Sequence, residues 1–117
     1  MSYTSVGRPA RARSVWVDVH DTTVHVLYTC PANCTTEITF LHMVNVGTNN
    51  SVTIKWYIAA SAYTSNFLNG KNLSAGEYVT FSPMRLFLAP GDEIRVETSS
   101  ADHLDVIASA IETFTTN

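Results

Sequence analysis

Hydrophobic residues recur along this chain at every second position, in short runs bounded by Gly, Pro, Asn and Asp. A period of two puts successive side chains on opposite faces of a strand, so the pattern predicts β-structure. Residues 73–99 show it most clearly. Ala75-Gly76 closes one run and releases residues 77–81; Ser82-Pro83 breaks that one, and residues 84–88 follow as a short apolar run. Ala89-Pro90-Gly91-Asp92 then puts Pro, which presets φ, and Gly, which accepts positive φ, at the central positions of a turn. Residues 93–98 resume with Ile94 and Val96 on one face and Glu93, Arg95 and Glu97 on the other, the pattern of a half-buried strand.

The same reading extends over the rest of the chain. Val15, Val17 and Val19 alternate with Trp16, Asp18 and His20 in a strand over residues 14–20, and Val24, Val26 and Tyr28 share a face over 24–29. The segment from Cys30 to Cys34 is a loop, since Pro31 has no N–H for a central strand. Over residues 37–46, Ile38, Phe40, His42 and Val44 share one face while Leu41 and Met43 share the other. Over 104–114, Leu104, Val106, Ala108 and Ala110 oppose Ile107 and Ile111. Apolar groups on both faces of these two strands predict cover on both sides, a second sheet on one and something else on the other. Gly47-Thr48-Asn49-Asn50 marks a hairpin turn into residues 52–59, where Val52, Ile54, Trp56 and Ile58 face inward. Residues 60–72 are the least regular: Tyr63 and Phe67 fit a strand, but Asn66, Asn69-Gly70 and Asn72 read as turns, Asn69-Gly70 as a type I′ hairpin. No long run has a helical period. With about eight or nine strands at regular turn spacing, the fold class is all-β, an antiparallel β-sandwich in jelly-roll or Greek-key order.

Composition narrows the function classes. A chain of 117 residues makes one domain with a core of its own. Charged residues are sparse at 15%, with Ser, Thr and Asn in their place, which suits a surface packed against neighbours. A net charge of -3 argues against nucleic-acid binding, which needs a basic surface to displace phosphate counterions. No run reaches the roughly 18 apolar residues of a membrane span, and residues 1–13 hold no apolar segment of a secretory signal. Those residues concentrate Arg8, Arg11 and Arg13 and divide the chain into an N-terminal arm, 1–13, and a sandwich domain, 14–117. The arm reads either as a solvated terminus or as a segment that orders against an acidic neighbour.

The chemistry-bearing residues point to no catalytic, cofactor or metal site. His20 and His25 approach across a hairpin but lack a third ligand, and His42 and His103 have no ligand spacing. Asp92, Glu93, Asp102 and Asp105 are scattered carboxylates without a recognisable acid–base pair. Cys30 and Cys34 read as two buried or turn-lining thiols in preference to a disulfide. Asn33, Asn49 and Asn72 begin glycosylation-type triplets that are accidents of an Asn- and Ser/Thr-rich chain.

The order of motifs is more telling. Leu27-Tyr28-Thr29-Cys30-Pro31-Ala32 precedes Val44-Asn45-Val46, then Leu73-Ser74-Ala75-Gly76-Glu77 and the stretch Leu88-Ala89-Pro90-Gly91-Asp92-Glu93-Ile94-Arg95-Val96. Val106-Ile107-Ala108-Ser109-Ala110-Ile111-Glu112 closes the series. From Val24 to Phe114 this resembles a family of small β-sandwich virion proteins of tailed bacteriophages. The resemblance implies a non-enzymatic part of a virus particle, assembled in the host bacterial cytoplasm. Within it the expected role is a capsid cement or decoration protein, a homotrimer bound to the major capsid protein or other virion proteins. A tail or neck component and a carbohydrate-binding attachment module using Tyr57 or Tyr63 are the alternatives. Arg8, Arg11 and Arg13 of the arm, with Tyr63 and Phe67 of the irregular segment, lie outside the resemblance and are the expected protein contacts.

Overall fold

A computed structural model describes residues 9–115. Among them nine strands form and no helix: β1 (Ala10–Val19), β2 (His25–Thr29), β3 (Cys34–Asn45), β4 (Asn50–Ile58), β5 (Tyr63–Leu73), β6 (Tyr78–Phe81), β7 (Leu86–Leu88), β8 (Glu93–Thr98) and β9 (Leu104–Phe114). They build two antiparallel sheets. One, the five-stranded sheet, runs β1-β9-β3-β6 with β7 also paired to β3; the other, of four strands, runs β2-β8-β4-β5. β6 and β7 occupy successive stretches of the same β3 edge, Phe81 opposite Leu41 and Leu86 opposite Ile38. They are one edge strand interrupted at Ser82-Pro83. Counted so, each sheet has four strands, and the chain crosses between sheets in the interlocked order of a jelly roll.

The sandwich closes because each inner face is apolar. Ile38, Leu41 and Met43 of β3 and Leu104, Val106, Ala108 and Ala110 of β9 meet Val52 and Ile54 of β4 and Ile94 and Val96 of β8, all buried. At about 25 cal/mol per Å² of apolar surface, this layer is the main stabilising term. The turn before β8 braces one end of it. Gly91 has φ 87, and Asp92, 4% exposed, accepts N–H bonds from Ala89 at 2.9 Å and Ala59 at 3.0 Å.

Several sequence expectations need correction. β1 starts at Ala10, four residues inside the expected arm, because residues 10–13 pair with Thr113 to Ala110 of β9. The expected common face of Ile38 and Phe40 fails: a register irregularity between them turns Ile38 into the core beside Leu41 and Met43 and leaves Phe40 on the other side. Asn69-Gly70 is no hairpin turn. It lies inside β5 at a register shift, with Gly70 at φ 62 and its N–H bonded to Thr53 Oγ1 at 3.0 Å, so it forms a bulge against β4. The turn between β4 and β5 falls instead at 59–62, where Ala62 takes φ 53.

Candidate interaction surface

The five-stranded sheet has an outer face without cover from the second sheet. Alternation along β9 puts Asp105, Ile107, Ser109 and Ile111 there, opposite the buried Leu104, Val106, Ala108 and Ala110. Register extends the rows sideways. Ile107 lies between Trp16 of β1 and His42 of β3, and Ile111 between Ala12 and Glu37, with Phe87 of β7 beyond. Trp16 is 73% exposed, Tyr78 65%, Phe87 57%, and Ile107 and Ile111 42% each. His42 stacks on Phe40 at 6.2 Å and meets Tyr78 at 5.5 Å, and its Nδ1 lies 2.7 Å from Thr80 Oγ1. The Arg85 guanidinium sits 5.4 Å from the centre of the Phe87 ring and pairs with Glu37 at 3.1 Å. Aromatic and branched groups spread over one sheet face, rimmed by charge, form an exposed apolar patch of the kind that marks interaction sites. The sequence expectation of cover on both sides of β3 and β9 rests on Phe40, His42, Ile107 and Ile111 of this face.

The expected contact residues are placed differently. Arg8 lies outside the described residues. Arg11 and Arg13 are on β1, turned to the inner side where the sandwich opens. The Arg11 Nε donates to Glu112 Oε1 at 2.5 Å and Arg13 stands 3.5 Å from Oε2. Glu112 is fully buried, and the Tyr28 hydroxyl donates to it at 2.5 Å while lying 2.8 Å from Thr36 Oγ1. Burial pushes the Glu112 carboxyl up, but the bonds from Tyr28 and Arg11 and the charges of Arg11 and Arg13 outweigh it and hold the group below its ordinary value. Both arginines, with about half of each side chain exposed, thus have an intramolecular partner. Tyr63 is 60% exposed at the start of β5. Phe67 is turned inward, packed on the core and edge-to-face with Phe81 at 6.0 Å.

Cys30 and Cys34 are free and buried; burial pushes the Cys30 thiol up. Glu93 pairs with Arg95 at 2.7 Å, and Asp102 accepts from the amide and hydroxyl of Thr48. His25 does not meet His20. It pairs with Asp21 at 2.9 Å, whose carboxyl is held down to about 2 by the hydroxyl and amide of Thr23 and by His25. His20 instead lies against His103, ring centres 4.2 Å apart, beside Asp18 and Asp105. This grouping the sequence reading missed, because β1 and β9 are joined only by register.

These sheets define a jelly-roll sandwich with one outer face that nothing covers among the described residues. No family model matches the chain, and no curated protein does. Solved structures do. A chain of the Bacillus endospore appendages, a family of disulfide-linked pili, aligns at TM-score 0.57 and 14% identity over 99% of this chain and 98% of that one. One from the acidic stable capsid structure of Helicobacter pylori bacteriophage KHP30 aligns at 0.57 and 11% identity, over 93% and 94%. One from the infectious bursal disease virus VP2 subviral particle aligns at 0.55 and 11%; this chain is covered over 92% and spans 34% of that one. At such identities the likeness is one of fold. The chain shares its sandwich with proteins of viral shells and of spore pili.

Proposed function

We propose that this chain is a non-enzymatic structural protein of a virus particle. Within that class it is a cement or decoration protein of a tailed-bacteriophage head, laid on the shell through the outer face of its five-stranded sheet. The observation that carries the reading is that face, where Trp16, Tyr78, Phe87, Ile107 and Ile111 stand open to solvent. The fold shared with the phage KHP30 capsid structure over nearly the whole of both chains supports it. The partner is the major capsid protein, and three copies around a three-fold point of the shell satisfy closed symmetry. A tail or neck position uses the same face against a different neighbour. The pilus reading has an observation against it: the cysteines, two in all, are both buried, which withholds their sulfurs from links between subunits.

The test is co-sedimentation of the purified chain with particles stripped of it. Saturable binding, lost in Trp16→Ser/Phe87→Ser while circular dichroism and melting stay unchanged, is the expected result. Undiminished binding by that variant removes the outer face from the interface. Deleting residues 1–8 tests the arm, because residues 10–13 belong to β1 and their loss would disturb the fold as well. A weaker complex with an unchanged melting curve is expected.

A further inference from the structure

The sequence holds Asp18-Val19-His20 at the end of β1 and His103-Leu104-Asp105 at the start of β9, mirror-ordered triplets on antiparallel neighbours. Register sets Asp18 opposite Asp105 and Val19 opposite Leu104, and the next step brings His20 to His103. Val19 and Leu104 point into the core, so the other four side chains share the outer face as a two-by-two block. Like charges directly opposite each other destabilise a sheet, and here two carboxylates are so placed. They converge on imidazole nitrogens. Asp18 Oδ2 lies 3.0 Å from His20 Nε2, its Oδ1 contacts His103 Nε2, and Asp105 Oδ1 is 2.9 Å from that same nitrogen. One donor atom from each of Asp18, His20 and His103 falls within 4.8 Å of the other two. Donor atoms around a tetrahedral zinc ion at about 2.0 Å stand roughly 3.3 Å apart, a spacing the Asp18–His20 pair at 3.0 Å approaches and the 4.8 Å bound on the group allows.

We propose that Asp18, His20 and His103 form a binding site for a divalent transition-metal ion of the zinc type, with Asp105 beside them holding His103. Two neutral imidazoles and one carboxylate supply nitrogen and oxygen donors suited to that class and leave the fourth tetrahedral position free. On binding, each imidazole gives the Nε2 lone pair to the ion and keeps one proton on Nδ1, and any second ring proton passes to solvent. The site lies on the same sheet face as Trp16 and Tyr78, with His20 and Asp105 exposed, which leaves the bound ion open to a further ligand from a neighbour. The inference does not depend on the virion role.

The experiment uses the full chain, untagged and freed of metal with EDTA, titrated with zinc chloride by calorimetry. Cobalt(II) follows as a spectroscopic probe. One zinc per chain and the visible absorption of tetrahedral cobalt are expected. His103→Ala and His20→Ala should each weaken binding at least about 100-fold, and Asp105→Asn at least about tenfold. His25→Ala and His42→Ala, histidines outside the block, should bind as the parent does. His20 follows the last residue of β1 and is exposed, so its removal leaves the fold in place, checked by an unchanged melting curve. Absence of stoichiometric binding, or binding undiminished in both His20→Ala and His103→Ala, overturns the proposal.

Discussion

Glu112 is a buried carboxylate stabilised by a hydroxyl and two guanidinium groups. Replacing it with Gln keeps the shape and removes the charge, leaving the Tyr28 hydroxyl and Arg11 with a weaker acceptor. The expected loss is about 1–3 kcal/mol, read by urea unfolding. The pH dependence has a definite sign. Because the folded-state value lies below the ordinary 4.5, the contribution is complete above that pH and is lost as pH falls through the folded value. The parent should therefore lose stability on acidification below about pH 4.5 more steeply than Glu112→Gln. None of this was legible from Arg11 and Arg13 alone. Their partner stands 101 positions away in the case of Arg11, so the arginines read as a solvated terminus or as an arm that orders against an acidic neighbour, with Glu112 not named.

At the scale of elements, the strands with clear alternation, β8 and β9, are plain in the sequence because apolar residues recur at every second position, Ile94 and Val96 in one and Leu104, Val106, Ala108 and Ala110 in the other. β5 was obscured. Asn69-Gly70 has the chemistry of a hairpin turn, yet β4 continues past it as a partner, and the dipeptide absorbs its extra residue as a bulge. The turn that does exist, at 59–62, is made by Ala59-Ala60-Ser61-Ala62 and carries no Gly, Asn or Pro to announce it. Gly70→Ala should cost about 1 kcal/mol, a purely conformational penalty, since nothing lies within 4 Å of an added Cβ. Asp92→Ala should cost more, about 2–4 kcal/mol, because the amides of Ala59 and Ala89 lose their acceptor and the buried site of the carboxylate is left empty. Thermal melting of the two variants side by side checks the order.

For the whole molecule, the sandwich explains one face of each sheet, and the outer face of the five-stranded sheet remains to be explained. Apolar residues on both sides of β3 and β9 were visible in the sequence as a demand for a second covering layer. The mirrored Asp-Val-His and His-Leu-Asp triplets were not, since only the β1–β9 register joins them. Trp16→Ser should change monomer stability by no more than about 0.5 kcal/mol, because the side chain is 73% exposed, while reducing self-association or shell binding in sedimentation. The most direct measurement is the copy number of this chain in purified particles, by quantitative mass spectrometry against the major shell protein. Copies in simple ratio to the shell protein are the predicted result for a cement or decoration role. A few copies per particle would move the chain to the tail or neck, and its absence from particles would contradict the virion assignment altogether.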